Sequence, residues 1–146
     1  LSGIEMSTFI KDFFGHIRAA MNSDTCRVDL SLDCPNVVFD MDTAVPLGLI
    51  LNELMTNSFK YAFANDSNGL IKIKLEDSGN GDYILRYTDS GIGIPEGMDF
   101  KTTTSLGLRL ISRLSRQLGG NSMINHGENW NVEIRFKDTN AREEID

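Results

Sequence analysis

Two cysteines, three prolines, one tryptophan and two histidines are all that these 146 residues hold of those types. Cys26 and Cys34 are too few for a disulfide scaffold and lack the paired spacing of zinc ligands, so reduced thiols in a cytosolic protein are the expectation. Long apolar runs are missing as well. The longest, 44–51, falls far short of the ~20 residues that cross a bilayer, and no basic stretch leads into a secretory core at the N-terminus. Positive charge is scarce: 14 Lys and Arg against 21 Asp and Glu leave a net charge of −7. That balance excludes sequence-independent binding to nucleic acid or anionic lipid, so any bound phosphate has to be held by local groups. What is present, 40% hydrophobic and 24% charged residues, suits one soluble domain able to build its own core, without direct membrane contact.

Along the chain, Phe9, Ile10, Phe13, Phe14, Ile17 and Met21 recur at helical spacing before Asn22, Ser23 and Asp24 break the pattern. Alternation of Cys26, Val28, Leu30 and Leu32 with polar residues predicts a half-buried strand. A short strand over 37–39 then precedes Asp42, read as the N-cap of a long helix that Pro46 helps to open near Leu47 and that runs to about Phe63. Segments 70–76 and 83–88 read as antiparallel strands joined by the turn-prone loop 77–81. A second helix-forming stretch covers 106–118, ending at Gly119-Gly120, and two last strands, 122–125 and 130–137, flank a turn at Gly127. The charged tail, 138–146, is expected to fray. Strands outnumber helices and most pair as hairpins, which predicts an α+β fold: a two-layer sandwich, one mixed, mostly antiparallel sheet with about three helices on one face.

Three motifs carry chemistry. On the long helix, with Glu53 set at zero, Asn57 falls near about 40° and Lys60 near about −20°, at about 100° per residue. A carboxylate, an amide and an ammonium thus share one stripe at the rim of the core-facing side, which includes Ile50, Leu51, Leu54, Met55, Ser58 and Ala62. An Asn carbonyl is a hard oxygen ligand suited to Mg²⁺, and a nearby Lys neutralises phosphate charge; the ordinary alternative is a solvated helix face. The second motif, Asp89-Ser90-Gly91-Ile92-Gly93-Ile94-Pro95, follows a strand directly. An ionised Asp accepts hydrogen bonds from an exocyclic amine, and the glycines admit a flat ligand, a combination suited to adenine; a plain turn is the alternative. The third, Thr102-Thr103-Thr104-Ser105-Leu106-Gly107-Leu108, enters the last helix, where free amides and the helix dipole make an anion site or merely an ordinary cap. Magnesium, adenine and phosphate belong to one ligand, ATP.

In that order the motifs resemble the ATP-binding fold shared by histidine kinases, type II topoisomerases, ninety-kilodalton heat-shock chaperones and mismatch-repair ATPases, known as the Bergerat fold. Leu49-Ile50-Leu51-Asn52-Glu53-Leu54-Met55-Thr56-Asn57-Ser58-Phe59-Lys60-Tyr61 looks like its N box, Asp89 to Gly93 like its first glycine box, and Ser105-Leu106-Gly107-Leu108 like its second. Within the family, Pro46 to Leu54 and the run 105–120 are most similar to sensor histidine kinases with Glu in the N box. The resemblance implies that Asn57 ligates Mg²⁺, that Lys60 and Tyr61 lie by phosphates and ribose, and that Asp89 holds the adenine amino group. It further implies that Gly91 and Gly93 shape that pocket, that Ile94 and Ile111 line it, that 96–104 form a short lid, and that Ser105, Leu106, Gly107 and Leu108 cradle the phosphates. Glu53 would be catalytic with Lys60, orienting the metal's waters or assisting the acceptor. One departure stands out: Asn129-Trp130 occupies the place where relatives carry Gly-Thr, whose Thr supports the adenine.

Such kinases pass the γ-phosphoryl group to a His on a separate dimerising hairpin. His126 falls at a hairpin turn and His16 lacks an acceptor context, so the phosphoacceptor is expected outside this chain. Residues 1–23 then read as a linker helix, 24–137 as the catalytic domain, and a response regulator as the downstream partner. Two other readings stay open: an anti-sigma-factor-type serine kinase, and a degenerate nucleotide-binding interaction module.

Overall fold

The computed structural model describes residues 3–21, 27–63, 68–91 and 106–138. Strand β1 (Ile4–Glu5) leads directly into helix α1 (Met6–Met21). Strands β2 (Val28–Asp33) and β3 (Val38–Phe39) follow, then helix α2 (Met41–Asn57), extended by one π-helical turn, Ser58–Ala62. After β4 (Gly69–Gly79) and β5 (Asp82–Asp89) come helix α3 (Leu106–Gln117) and strands β6 (Asn121–Asn125) and β7 (Asn131–Lys137). The main sheet has the order β2-β4-β5-β7-β6, with β2 and β4 parallel and every other pair antiparallel. The parallel pair exists because β3 and α2 carry the chain between β2 and β4, the long crossover that parallel neighbours need.

Period-2 alternation separates the two faces of this sheet. Ile71, Ile73 and Leu75 of β4, Tyr83, Leu85 and Tyr87 of β5, and Val132, Ile134 and Phe136 of β7 are buried on one face. They form a single core with Met6, Ile10 and Phe14 of α1, Leu47, Ile50, Leu51, Leu54 and Met55 of α2, and Leu108, Ile111 and Leu114 of α3. Each such side chain contributes about 1.5–3 kcal/mol by leaving water. Phe39 meets Tyr83 edge-on with ring centroids 4.9 Å apart, closing one end of the core.

The opposite face is polar. Arg86 bonds both Glu76 and Glu133, at 3.2 and 2.6 Å, and Arg135 bonds Glu133 at 2.8 Å. Burial alone would raise the Glu133 pKa, but the hydrogen bonds from Arg135 and Arg86 outweigh it and hold the carboxyl below its ordinary value. A depressed carboxyl pKa adds stability that is present above the unfolded-state value and is lost as pH falls through the folded one. Glu133→Gln is therefore expected to lower stability at pH 7 by about 1 kcal/mol. In melts stepped from pH 7 to pH 3, the gap between the two proteins should close; a gap that stays constant would contradict this account.

Four details differ from the sequence expectations. Strand β1 is an added element, pairing antiparallel with β3 (Ile4 opposite Phe39), and the Glu5 carboxylate accepts from the Ser7 and Thr8 amides to cap α1. The N-cap of α2 is Asp40, not Asp42: its side chain accepts from the Thr43 amide at 3.3 Å, and helix α2 starts six residues earlier than the reading near Leu47, at Met41. Pro46 thus lies inside the helix rather than opening it. The loop between β4 and β5 shrinks to Asn80-Gly81, both at positive φ (58° and 80°), the mirror-image turn that matches strand twist. At the end of α3, Gly119 (φ 78°) donates to the Arg116 carbonyl and Gly120 to that of Ser115, a Schellman cap. Cys34 is a free thiol whose pKa is pushed up to about 11, by burial first and by the Glu5 and Asp33 carboxylates second.

Candidate functional site

The site lies where the C-terminal end of α2, the C-terminal end of β5 and the N-terminal end of α3 converge. Helix α2 does not continue as an ideal helix past Asn57. The Ser58 amide is shared between the Leu54 and Met55 carbonyls, and the Phe63 amide reaches back five residues to the Ser58 carbonyl at 3.1 Å. Single π turns of this kind concentrate at functional sites. Glu53 and Asn57, both half-buried, precede the turn and keep their shared stripe. Lys60 and Tyr61 sit on the turn itself and are exposed, Tyr61 to 73%. The wheel angle derived for Lys60 does not carry over, because a π turn advances less per residue than the α-helix assumed there.

Asp89 ends β5 on the core-facing row. It lies opposite Ile71 in register and continues the row of Tyr83, Leu85 and Tyr87, so strand parity aims it at the helices. Its Oδ2 accepts from the Ser58 hydroxyl at 2.6 Å and its Oδ1 from the Gly91 amide at 2.8 Å. Burial raises the Asp89 pKa, against the lowering effect of those two hydrogen bonds. Beyond Asp89, the Ser90 amide donates to the Leu70 carbonyl at 2.9 Å, and the Leu70 amide donates to Ser90 Oγ at 3.0 Å. These two bonds fix the departure of the glycine-bearing segment from the sheet.

Two glycines make close approaches here, Gly91 to the backbone of the π turn and Gly107 to the end of the Glu53 side chain. A Cβ at Gly91 would overlap the Ala62 Cβ and stand 2.9 Å from its Cα, so Gly91 packs directly on the π turn. A Cβ at Gly107 would overlap a Glu53 carboxylate oxygen, so the first turn of α3 sits beside the N-box Glu. There the partial positive charge of the helix end suits a carboxylate or a phosphate. Of the other second-box residues, Leu106 is 81% exposed and Leu108 is buried. Ile111 lies in the core at 0% exposure. Gly93, Ile94, Ser105 and the lid residues 96–104 lie outside the described residues.

Sequence reasoning missed Ser58 and Tyr87. Ser58 is 3% exposed and its hydroxyl also meets the Tyr87 hydroxyl at 2.6 Å; that phenol is in turn 3.2 Å from the Leu54 carbonyl. A signal was present in both. A Ser on the core-facing side of a helix needs a buried partner, and Tyr87, two residues before Asp89, shares its side of the strand. At Asn129-Trp130, the Trp130 carbonyl accepts from Thr88 Oγ1 at 2.6 Å, and the indole packs against the core.

Among the described residues no three His, Cys, Asp or Glu side chains stand together as a metal cage. A hard cation would therefore need ligand phosphates besides the Asn57 amide oxygen, the manner in which Mg²⁺ is usually held.

The sequence profile of the histidine kinase-, DNA gyrase B- and HSP90-like ATPases matches residues 42–140. Blue-light-activated histidine kinase 2 of Erythrobacter litoralis is 26% identical over 117 residues, 79% of this chain and 34% of that protein. Among solved structures, the histidine kinase domain of the E. litoralis blue-light-activated kinase EL346 superimposes with a TM-score of 0.77 at 22% identity, over 96% of this chain and 64% of that one. The catalytic domain of the histidine kinase ThkA does so with a TM-score of 0.72 at 20% identity, covering 94% and 96%. This chain thus spans about a third of the curated relative.

Proposed function

The chain belongs to the family of histidine kinase-, DNA gyrase B- and HSP90-like ATPases, and from that premise we propose that it is the ATP-binding catalytic domain of a cytoplasmic sensor histidine kinase. On this reading it binds Mg-ATP and passes the γ-phosphoryl group to a His on a dimerising domain outside these residues, from which a response regulator takes it. The observation that carries the reading is that the family match, 42–140, spans Asn57, Asp89 and Gly107, and that the fold draws the end of α2 against both later motifs. The histidine kinases it is similar to favour that chemistry over serine phosphorylation. No helix among the described residues is long and apolar enough to cross a membrane.

Phosphoryl transfer is largely positioning and charge neutralisation, and a bound Mg²⁺ would supply much of the latter. The protein's share divides among the motifs. Asp89 fixes the base through its exocyclic amine. The Asn57 amide offers an oxygen toward the cation, and Lys60, on a solvent-facing turn, neutralises phosphate charge. The first amides of α3 turn toward the phosphates, where developing charge is greatest. Glu53, beside Gly107, stands close enough to that cradle to orient water or the acceptor imidazole.

Calorimetric titration with ATP, with and without magnesium, tests the reading: saturable binding that needs magnesium is expected, and its absence sinks both kinase alternatives. Adding a candidate acceptor domain with labelled ATP then separates them. Acid-labile product marks phosphohistidine; acid-stable product would replace this reading with a serine kinase.

A further inference from the structure

The resemblance implies a Thr before the last strand that supports the adenine, and Asn129-Trp130 stands in that place. Thr88, the hydroxyl nearest that position, faces the polar side of the sheet and is committed to the Trp130 carbonyl at 2.6 Å. Among the described residues, the last strand therefore sends Asp89 no support. Besides the Gly91 amide, what Asp89 receives comes from the helix side, through two buried hydroxyls.

The direction of those hydrogen bonds follows from proton counting. An ionised carboxylate only accepts, so the single Ser58 proton goes to Asp89 Oδ2 at 2.6 Å. The Ser58 oxygen is then the acceptor for the Tyr87 phenol at 2.6 Å, a shorter contact than the 3.2 Å from Tyr87 to the Leu54 carbonyl. Burial pushes the Tyr87 pKa far upward, so the phenol keeps the proton it donates. The chain Tyr87 to Ser58 to Asp89 thus runs one way, and each link polarises the next. With the Gly91 amide on Oδ1, both carboxylate oxygens are anchored, and each retains a free lone pair for an amino group.

We propose that Ser58 and Tyr87 are positioning residues for adenine recognition, holding Asp89 ionised and in one orientation. This rests on the ATP-binding reading above. The consequence is selectivity: a fixed carboxylate attracts the 6-amino group of adenine and repels the 6-oxo group of guanine, whereas a loosened or protonated one discriminates less. The groups acting on Asp89 are the Ser58 hydroxyl and the Gly91 amide, with Tyr87 acting through Ser58. Across β4 it faces the apolar Ile71, and Lys60 on the π turn is exposed. Among the described residues no charged side chain contributes to the shift of Asp89.

Ser58→Ala and Tyr87→Phe in the full chain test this by two measurements. The first is titration with Mg-ATP and Mg-GTP. Ser58→Ala should weaken ATP roughly tenfold and leave GTP nearly unchanged, and Tyr87→Phe should act in the same direction by roughly threefold. An ATP-to-GTP ratio that stays at the wild-type value in both variants overturns the proposal. The second measurement needs no nucleotide: the Asp89 carboxyl carbon is followed by NMR against pH. Losing the Ser58 hydrogen bond should raise its midpoint by about one pH unit, and an unmoved midpoint also overturns the proposal. Tyr87→Phe removes one oxygen only and serves if Ser58→Ala does not fold. A wild-type protein that binds neither nucleotide would refute the functional reading, while the carboxyl titration would still decide whether these hydroxyls hold Asp89.

Discussion

Asn57→Ala is expected to remove the magnesium-dependent part of ATP affinity, a loss of roughly 100-fold, since even residues that merely support a metal ligand cost 10- to 100-fold when lost. The expectation rests on the Asn57 amide oxygen, a hard ligand on the stripe that Glu53 shares. Stability should change by no more than about 0.5 kcal/mol, because Asn57 is half-buried and its side chain makes no hydrogen bond that caps the helix or the following turn. Calorimetry with and without magnesium, beside a thermal melt, checks both halves. Unchanged affinity in magnesium would refute the metal role; a collapsed melt would show that the amide holds the π turn instead.

Asp89→Asn should cost roughly 50-fold in ATP affinity, the value of one hydrogen bond to a charged group. GTP should lose little, because an amide can donate to the 6-oxo group that a carboxylate repels. Stability should move the other way. Burial raises the Asp89 pKa, so keeping the carboxylate ionised at neutral pH costs folding free energy, a cost that disappears as pH falls below the folded pKa. Asp89→Asn removes the charge and should therefore melt no lower than the parent at pH 7. Thermal melts and competition between the two nucleotides measure both effects. A lower melting temperature, or equal losses for ATP and GTP, would mean that Asp89 is structural rather than a reader of the base. Function and stability pulling apart at one residue is the usual mark of a binding group held at a cost.

Much of this was legible in the residues themselves. Alternation in β4, β5 and β7 announces a sheet with one wet face, and the apolar spacing of α1 and α3 announces helices, because both periods are local consequences of backbone geometry. Boundaries were less legible. Asp40 and Asp42 are both able caps, and only the first is placed with its carboxylate toward the Thr43 amide. Strand β1 is two residues long, too short for any period to register, and exists because β3 offers it an edge.

By itself the sequence determined the α+β class, the acidic surface and the order of three motifs along the chain, since these follow from composition and from periods of two and 3.6. Tertiary structure decided what the motifs meet. The β3–α2 crossover brings the end of the N-box helix over the end of β5, and the π turn sets Ser58 beneath Asp89 and Ala62 against Gly91. The first turn of α3 then closes on Glu53. Those approaches join residues 29 to 54 positions apart, and they depend on how side-chain volumes fill one shared core. A local pattern does not encode that, and so a serine that looked like core packing became a support for the binding carboxylate.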